Sequence, residues 1–492
     1  MVERYGTVQT ETEEAVPDVI DSPAGSRVLR RPAEPPLLGW LRRDAASSVK
    51  FEGSAVPSQQ RDLRLDFFRG LALLFIFVDH IPENILSYFT LQAFQFYDAA
   101  EVFIFISGYT AALVYSRTLA LQGPFYATAQ ILRRAWQLYV AHVFLFVIFI
   151  AEVSYTATTF NNPMYNDEMR VADFLEEPHV AIIKALLLEF QPTFLDILPL
   201  YILLLVVFPA ILLGLRRKPL LVLIPSFLLY AVVQVIDVSV PAYPEGHVWY
   251  FNPLAWQFLF TAGAAFGFGG AHTRRRLRPA GAPLLIAIIV VTVGLIIKLS
   301  WTIHGVWDAV PGLFLKELWP VNKNNLSPIR LVPFFATVFV VGSLVTPNMK
   351  FLNSAIAKPV ILCGQQSLEV FCFGILLSAL GHFLLSEYNS AIATQLVVNL
   401  AGILAMCLTA KMIDWYKSVG RTAPPTGVAR NRGNGKSPHT LNPMRRSKSL
   451  FECHLARSRL LGQLQSCPAQ PPSDHRCGRR RAQGRLEHNH HV

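Results

Sequence analysis

Apolar residues along this chain gather in long runs that are separated by short polar connections. A helix needs about 20 predominantly apolar residues to cross a bilayer. Ten runs approach this length, at residues 66–83, 99–120, 135–156, 194–214, 219–236, 253–272, 281–302, 329–347, 359–385 and 390–412. The pattern predicts an all-α fold, that of a polytopic integral membrane protein with about ten transmembrane helices.

The two ends of the chain lack this pattern. Residues 1–60 and 416–492 are polar, are interrupted by Pro and Gly, and show no sustained periodicity, which is typical of disordered segments. We therefore expect a membrane domain at residues 61–415 between two disordered cytoplasmic segments. The composition agrees, because 52% of all residues are hydrophobic and only 16% are charged.

The net charge of +11 belongs to the C-terminal tail. Residues 421–492 contain 14 Lys or Arg and 3 Asp or Glu, so the rest of the chain is neutral. A basic tail can contact anionic lipid or nucleic acid, but a solvated cytoplasmic tail is the more common case, and we expect no nucleic-acid partner. The six cysteines fit neither a disulfide framework nor a usual zinc pattern, so no metal site is predicted.

The connections between the runs alternate in basic content. Lys and Arg cluster before the first run and after the even-numbered runs, as at residues 216–218 and 274–278, whereas the connections after runs one and five contain none. By the positive-inside rule, both termini should be cytoplasmic. Of two long outer connections, 157–193 contains an amphipathic piece that is expected to lie in the interface, and 303–328 contains a Trp- and Leu-containing piece that is expected to be re-entrant or surface-lying. Ordinary aromatic-belt anchoring is the alternative for both.

The first run carries three ionisable groups, Arg69, Asp79 and His80. On a regular helix Arg69 and His80 point within about 20° of the same face and lie roughly 16 Å apart along the axis. Such groups are costly in a bilayer and usually face a pathway or a site. The alternatives are that Arg69 snorkels to lipid phosphates and that the Asp79–His80 pair is wetted at the outer interface. We predict that Arg69 and His80 face one cavity, with Arg69 nearer the cytoplasm.

Other runs carry polar groups that would fit the same cavity. They are Glu101, Ser107 and Tyr109 in the second run, Asp196 at the start of the fourth, and Gln365, Gln366, Ser367 and Glu369 in the ninth.

Six segments together resemble the OpgC family of integral membrane proteins, which is related to the acyltransferase-3 superfamily. They are RDLRLDFFRGLALLFIFVDHI, AEVFIFISGY, LDILPLY, FNPLAWQ, KNNLSPIRL and GQQSLEVFC, and the likeness runs from about residue 61 to 415. In that superfamily, an Arg and a His separated by ten residues on the first membrane helix are the signature of catalysis. Arg69 and His80 match this spacing.

The resemblance implies a multi-pass enzyme of the bacterial cytoplasmic (inner) membrane. Such an enzyme would move an acyl group, succinyl in the named activity, to hydroxyls of a periplasmic glucan or a related envelope polysaccharide. The donor substrate would be cytoplasmic acyl-CoA, either succinyl-CoA or acetyl-CoA, and no bound cofactor is implied. The expected partners are therefore acyl-CoA, the polysaccharide and the lipid bilayer.

The chemistry of acyl transfer suggests a role for each ionisable residue. His80 is predicted to be the general base that takes the proton of the sugar hydroxyl, because an unperturbed imidazole titrates near pH 6.5. Asp79 points about 100° away from His80 on a regular helix, so Glu101 or Asp196 is the better candidate for orienting the ring. Arg69 is predicted to hold the coenzyme A phosphates or the thioester region.

The remaining candidates are expected to bind substrate. Trp249, Tyr250 and Trp256 offer stacking faces for a sugar on the outer side, although ordinary interface aromatics are the more common case. The other predicted substrate-binding residues are Asp79, Ser107, Tyr109, Asn252, Gln257, Lys323, Asn325, Arg330, Gln365 and Ser367.

A second class of function uses the same ionisable groups. A proton-coupled transporter could employ them as a relay, formed by Arg69, His80, Glu101, Asp196 and Lys298. Inverted repeats with broken helices would favour that hypothesis, and the sequence shows none.

Overall fold

The computed structural model describes residues 61–276, 281–302 and 321–422, and this part of the chain is almost entirely helical. Its helices are α1 Leu63–Asp79, α2 Leu91–Phe94, α3 Ala99–Thr159, α4 Met164–Glu168, α5 Ala172–Glu176, α6 Pro178–Leu186, α7 Ile197–Arg217, α8 Leu220–Ile236, α9 Pro253–Arg276, α10 Ala282–Thr302, α11 Pro328–Leu344, α12 Ala357–Gln365, α13 Ser367–Glu387 and α14 Ile392–Thr422. A small antiparallel hairpin, β1 Pro241–Ala242 and β2 His247–Val248, lies between α8 and α9. Short 3-10 turns cover Ile85–Phe89 and Lys350–Asn353.

The described helices include several that can cross a membrane. By length and composition, five of them qualify, namely α3, α7, α10, α13 and α14, and α8 and α11 are shorter apolar helices. The prediction of an all-α membrane protein is therefore confirmed in this part of the chain. Each of the ten predicted runs falls largely on a helix, but the number of crossings and the side of each terminus stay predictions.

Helix α3 is really two helices that fold back on each other. Its 61 residues are interrupted at Gly123, whose φ of 86° is favourable only for glycine, and Pro124 restarts the helix. The hydroxyl of Thr118 donates to the Gln130 side chain at 3.1 Å, a contact that an unbroken helix would not allow across twelve residues. The first arm (99–122) and the second arm (124–159) correspond to the second and third predicted runs.

Helix α1 packs against its neighbours with unusually close backbones. A Cβ atom on Gly70 would lie 1.9 Å from the carbonyl oxygen of Val360, and a Cβ on Gly364 would lie 1.8 Å from that of Asp66. Small residues allow this approach between helices. The contact fixes α1 against α12, and α1 also packs against the first arm of α3.

One end of the helix bundle gathers most of the predicted site residues. The C-terminal end of α1 meets the N-terminal ends of α3, α7, α9 and α11, where the side chain of Arg330 reaches Asp98 and that of Asn252 reaches Asn325. We call this the His80 end of the bundle. The opposite end, with Arg69 and the start of α1, is the Arg69 end.

Several sequence predictions concern residues that the structure does not describe. Residues 1–60, the tail beyond 422 and most of the 303–328 connection lie outside the described ranges. The predicted interfacial piece of the 157–193 connection forms α6, whose Ile182, Ile183 and Leu186 are exposed. Helix α14 continues past residue 415 to Thr422, and the ammonium of Lys417 on it donates to Gln366 and Glu369 at 2.6 and 2.9 Å.

Candidate active site

A buried cluster of four charges lies at the His80 end. The guanidinium of Arg330 donates to Glu101 at 2.6 Å and to Asp98 at 3.1 Å, and the ammonium of Lys323 contacts Asp98 at 2.7 Å. Asp98 and Glu101 also form a capping box at the start of α3, in which each carboxylate accepts a backbone N–H of the first turn. The cluster therefore joins α3, the segment before α11, and α11 itself.

The opposite charges within this cluster stabilise each other's ionised forms. Burial raises the pKa of Asp98, but the charges of Lys323 and Arg330 outweigh burial and hold this pKa below its ordinary value. Burial lowers the pKa of Lys323, but Asp98 outweighs burial and raises it above its ordinary value. At neutral pH Asp98 is therefore ionised and Lys323 is protonated.

His80 lies immediately after the last residue of α1. Its Nδ1 lies within hydrogen-bonding distance of the carbonyl oxygen of Ile76, and its ring packs edge-on against Phe194 with 4.6 Å between centroids. Because a carbonyl can only accept, Nδ1 must carry the proton in the neutral ring, and Nε2 must hold the lone pair. Nε2 is therefore the basic nitrogen of the neutral ring.

Asp79 is turned toward other partners. Its Oδ1 accepts from the hydroxyl of Thr90 at 2.6 Å and from the side-chain amide of Gln92 at 2.9 Å. These bonds anchor the connection after α1 to the end of that helix. The carboxylate of Glu101 is occupied by Arg330, so the partner that orients His80 in this structure is the backbone carbonyl of Ile76.

Lys323 is the charged group that the predicted site residues share. Its ammonium is close enough for its charge to act on Asp79, His80 and Asp196. It also lies 5.6 Å from the ring centroids of Tyr250 and Phe251, within reach of a cation–π interaction. Asp98, Tyr250 and Phe251 thus lie against one ammonium group.

Two of the predicted binding residues hold a loop of this end in place, and a third joins α9 to α8. The indole of Trp256 donates to the carbonyl of Asn324 at 3.1 Å, and Asn252 donates to the side chain of Asn325 at 2.8 Å. Gln257 is bonded to Ser226 on α8 through both side-chain atoms. These contacts account for Trp256, Asn252 and Gln257 as framework residues.

Trp249 differs from these framework residues. It is buried, and its indole nitrogen has no hydrogen-bond partner in the described part of the chain. The neighbouring Tyr250 is 39% exposed. A buried indole N–H usually has a hydrogen-bond partner, so this unpaired donor is unusual.

Arg69 lies in the second turn of α1, eleven residues before His80. Its guanidinium donates to the hydroxyl of Thr110 and, at 3.5 Å, approaches the carbonyl of Ile106 on the first arm of α3. Gln365 is at the same end, where it donates to Asp66 at 3.4 Å, and Ser367 begins α13 there. Ser107 is buried on the first arm of α3.

A large cavity among the described residues runs along a neighbouring face of α1. It has a volume of about 1350 Å³, is mainly apolar, and extends from Arg64 to Tyr97 with Tyr109 on one wall. Neither Arg69 nor His80 is among the described residues that line it. The predicted single cavity shared by both residues is therefore not this one.

Sequence reasoning missed two important neighbours of the site. Asp98, which pairs with both Lys323 and Arg330, was detectable because Asp98 and Glu101 have the spacing of a capping box before an apolar run. Phe194, which packs on His80, had no comparable signal, since an aromatic residue at the start of an apolar run usually indicates ordinary packing.

Comparison with known proteins gives one result. A family model described as OpgC protein matches residues 61–418. No curated protein matches the chain.

Proposed function

The chain belongs to the OpgC protein family, and from that premise we propose that it is a membrane-embedded O-acyltransferase. The substrates would be a cytoplasmic acyl-CoA and the hydroxyls of a periplasmic glucan or related envelope polysaccharide. The acyl group proposed is succinyl, with acetyl as the neutral alternative. We also propose that the protein crosses the bacterial inner membrane about ten times, with the Arg69 end cytoplasmic and the His80 end periplasmic.

The observation that carries this proposal is the state of His80. With Nδ1 bonded to the Ile76 carbonyl, Nε2 has the lone pair that a general base needs. In the proposed reaction Nε2 takes the proton as the sugar oxygen attacks the thioester carbon. The C–S bond then breaks, coenzyme A leaves as its thiol after receiving that proton, and an ester of the sugar remains.

The other residues of the His80 end support this step without taking part in the bond changes. The cluster of Asp98, Glu101, Lys323 and Arg330 would position the loops around His80. Trp249 and Tyr250 would contact the acceptor sugar, since an indole N–H and a phenol suit both stacking and hydrogen bonding. Asp196, at the start of α7 beside Phe194, is proposed to contact the acceptor hydroxyl or the ring of His80.

Arg69 is proposed to bind the donor at the other end of α1. Its fork of N–H donors suits the phosphates of coenzyme A better than a Lys ammonium would. In the free protein this fork is held by Thr110 and the Ile106 carbonyl, which are neutral partners that an anionic phosphate could replace.

The proposal can be tested with the purified full chain in liposomes, with acyl-CoA, an added glucan oligosaccharide and mass spectrometry of the product. His80→Ala should lower ester formation by about 10² to 10⁴-fold, the usual contribution of a general base. The matched control is His247→Ala, because His247 is exposed on the β1–β2 hairpin. Near-normal ester formation by His80→Ala would contradict the proposed base.

Arg69→Lys tests the donor site separately. We expect weaker binding of acetyl-CoA and succinyl-CoA and a larger loss at high salt, because phosphate contacts are screened. Arg117→Lys is the control, since Arg117 is an exposed arginine on the first arm of α3. Equal binding by the wild type and Arg69→Lys would place the donor elsewhere.

The family match favours this reading over the proton-coupled transporter. That alternative would require uptake of solute driven by a pH gradient, and it gives no reason for coenzyme A to bind. Gradient-driven uptake by the liposomes without any ester formation would favour the transporter hypothesis instead.

A further inference from the structure

Two cysteine thiols on different helices are in contact with each other. The sulfur of Cys363 on α12 lies 3.8 Å from the sulfur of Cys407 on α14, within the distance of a weak S–H hydrogen bond. The described part of the chain contains one further cysteine, Cys372 on α13, and all three are free thiols. Among these three, Cys363 and Cys407 form the pair whose sulfur atoms meet.

The two thiols of this pair differ in their access to the surroundings. Cys363 is 0% exposed, whereas Cys407 is partly exposed. On α14, Leu404 lies about one turn before Cys407 and Leu408 directly follows it, and these side chains are 59% and 55% exposed. Cys407 therefore lies at the edge of the apolar outer face of α14, where a molecule dissolved in the bilayer can approach it.

Cys363 does not have to be exposed in order to react. A sulfenic acid condenses with a neighbouring thiol to give a disulfide, so an oxidised Cys407 would need only the thiol that already contacts it. A disulfide bond is about 2 Å long, so the two sulfur atoms must approach by roughly 1.8 Å. The contact of Gly364 with the Asp66 carbonyl holds α12 against α1, so we expect Cys407 and α14 to make most of this movement.

We propose that Cys363 and Cys407 form a reversible oxidation site for organic hydroperoxides that are dissolved in the bilayer. The sulfur of Cys407 attacks the terminal peroxide oxygen, the O–O bond breaks, and the alcohol leaves with the thiol proton. The sulfur of Cys363 then attacks the sulfur of the resulting sulfenic acid. The S–O bond breaks, and the hydroxide leaves as water with the Cys363 proton. The two thiols lose two electrons, and the hydroperoxide is reduced to an alcohol and water.

The pair has a chemical advantage over a single cysteine. A sulfenic acid without a neighbouring thiol is open to further oxidation to sulfinic and sulfonic acids, whereas a disulfide can be reduced again by thiols. The disulfide would join residues 44 positions apart and would enclose α13 between α12 and α14. Cys372 is partly exposed and serves as the single cysteine for comparison. This site is separate from the proposed acyl transfer and does not depend on it.

The test uses the full chain in nanodiscs, with Cys453, Cys467 and Cys477 of the C-terminal tail replaced by Ser. The protein is treated with cumene hydroperoxide, which enters the bilayer, and is digested without reductant for mass spectrometry. We expect two peptides joined through Cys363 and Cys407, and we expect this cross-link to be lost after treatment with dithiothreitol. Oxidised Cys372 should be found as sulfinic or sulfonic acid and not in a cross-link.

Two variants test the order of the steps, with dimedone as a label for sulfenic acids. In Cys363→Ser the sulfenic acid on Cys407 has no thiol to react with, so dimedone should label Cys407. In Cys407→Ser the remaining Cys363 is buried and should stay unlabelled. Both variants should lose the cross-link completely. Cys372→Ser is the matched control and should form the cross-link normally.

Three outcomes would overturn the proposal. The first is the absence of the cross-link at a hydroperoxide concentration that oxidises Cys372 or the exposed Met412. The second is a cross-link through Cys372 that is as abundant as the one between Cys363 and Cys407. The third is equal dimedone labelling of Cys363 in Cys407→Ser and of Cys407 in Cys363→Ser. The first two are measured with both thiols of the pair in place, so they decide the matter even where a variant fails to fold.

Discussion

Adjacent side chains at the end of α1 have different tasks because their partners differ. Asp79 accepts two hydrogen bonds from the connection that follows α1, whereas His80 is held by a carbonyl of its own helix. The first arrangement fixes a loop, and the second leaves a basic nitrogen available. The sequence placed both residues at the site, but only the structure separates these roles.

The buried cluster at the His80 end should be sensitive to the loss of a single partner. Arg330→Met would leave the carboxylate of Glu101, which is 0% exposed, without its counter-charge. Breaking a buried ion pair in this way costs about 3–5 kcal/mol. We therefore expect a large drop in the unfolding midpoint of the protein in detergent, measured by thermal denaturation.

The control for that variant is an exposed ion pair of similar geometry. Lys417 contacts Glu369 at 2.9 Å, with both side chains more than 40% exposed. Lys417→Met should cost no more than about 1 kcal/mol. Similar destabilisation by Arg330→Met and Lys417→Met would mean that the buried cluster contributes no more to stability than an exposed ion pair.

At the scale of helices, the apolar pattern carried most of the information. It located the helices, including both arms of α3, because lipid-compatible segments must be long and continuous. It could not show that Lys323 meets Asp98, since these residues are 225 positions apart and pair only when α11 packs beside α3. It also could not distinguish Trp256 and Gln257 as framework residues, because a residue type does not reveal its partner.

The close contact between α1 and α12 gives a prediction at this scale. Gly364→Ala would place a methyl group 1.8 Å from the carbonyl of Asp66, so the two helices must move apart. We expect a loss of about 1–3 kcal/mol in stability, as for other overpacked sites. Ester formation should fall as well, because Arg69 and His80 are both on the displaced helix.

Gly342→Ala is the matched control. Gly342 is also inside a helix, but a Cβ there meets no atom within 4 Å. Alanine is the better helix former, so this variant should be neutral or more stable by about 0.5–1 kcal/mol. Stability can be measured by thermal unfolding, and the rate of ester formation by the glucan assay. A normal rate in Gly364→Ala would show that α1 tolerates displacement.

For the whole molecule, the arrangement of basic connections predicts which end faces the cytoplasm. Reporter fusions at residues 216–218, at 274–278 and in the C-terminal tail should all give cytoplasmic signals. Fusions at Glu83 or Glu245, which are exposed at the His80 end, should give periplasmic signals. A cytoplasmic signal from either of these two positions would invert the proposed orientation and place the sugar site on the wrong side.

The glycine contact also makes α1 a molecular ruler. Because α1 cannot slide along α12 without a backbone collision, Arg69 and His80 stay about 16 Å apart along its axis. A donor whose phosphates are held at Arg69 can deliver its carbonyl to His80 only if its thiol-bearing arm spans that distance. Acyl thioesters of cysteamine, which lack most of that arm, should then react far more slowly than acyl-CoA even when present in excess. The separation between two residues on one rigid helix would thus select the donor by length.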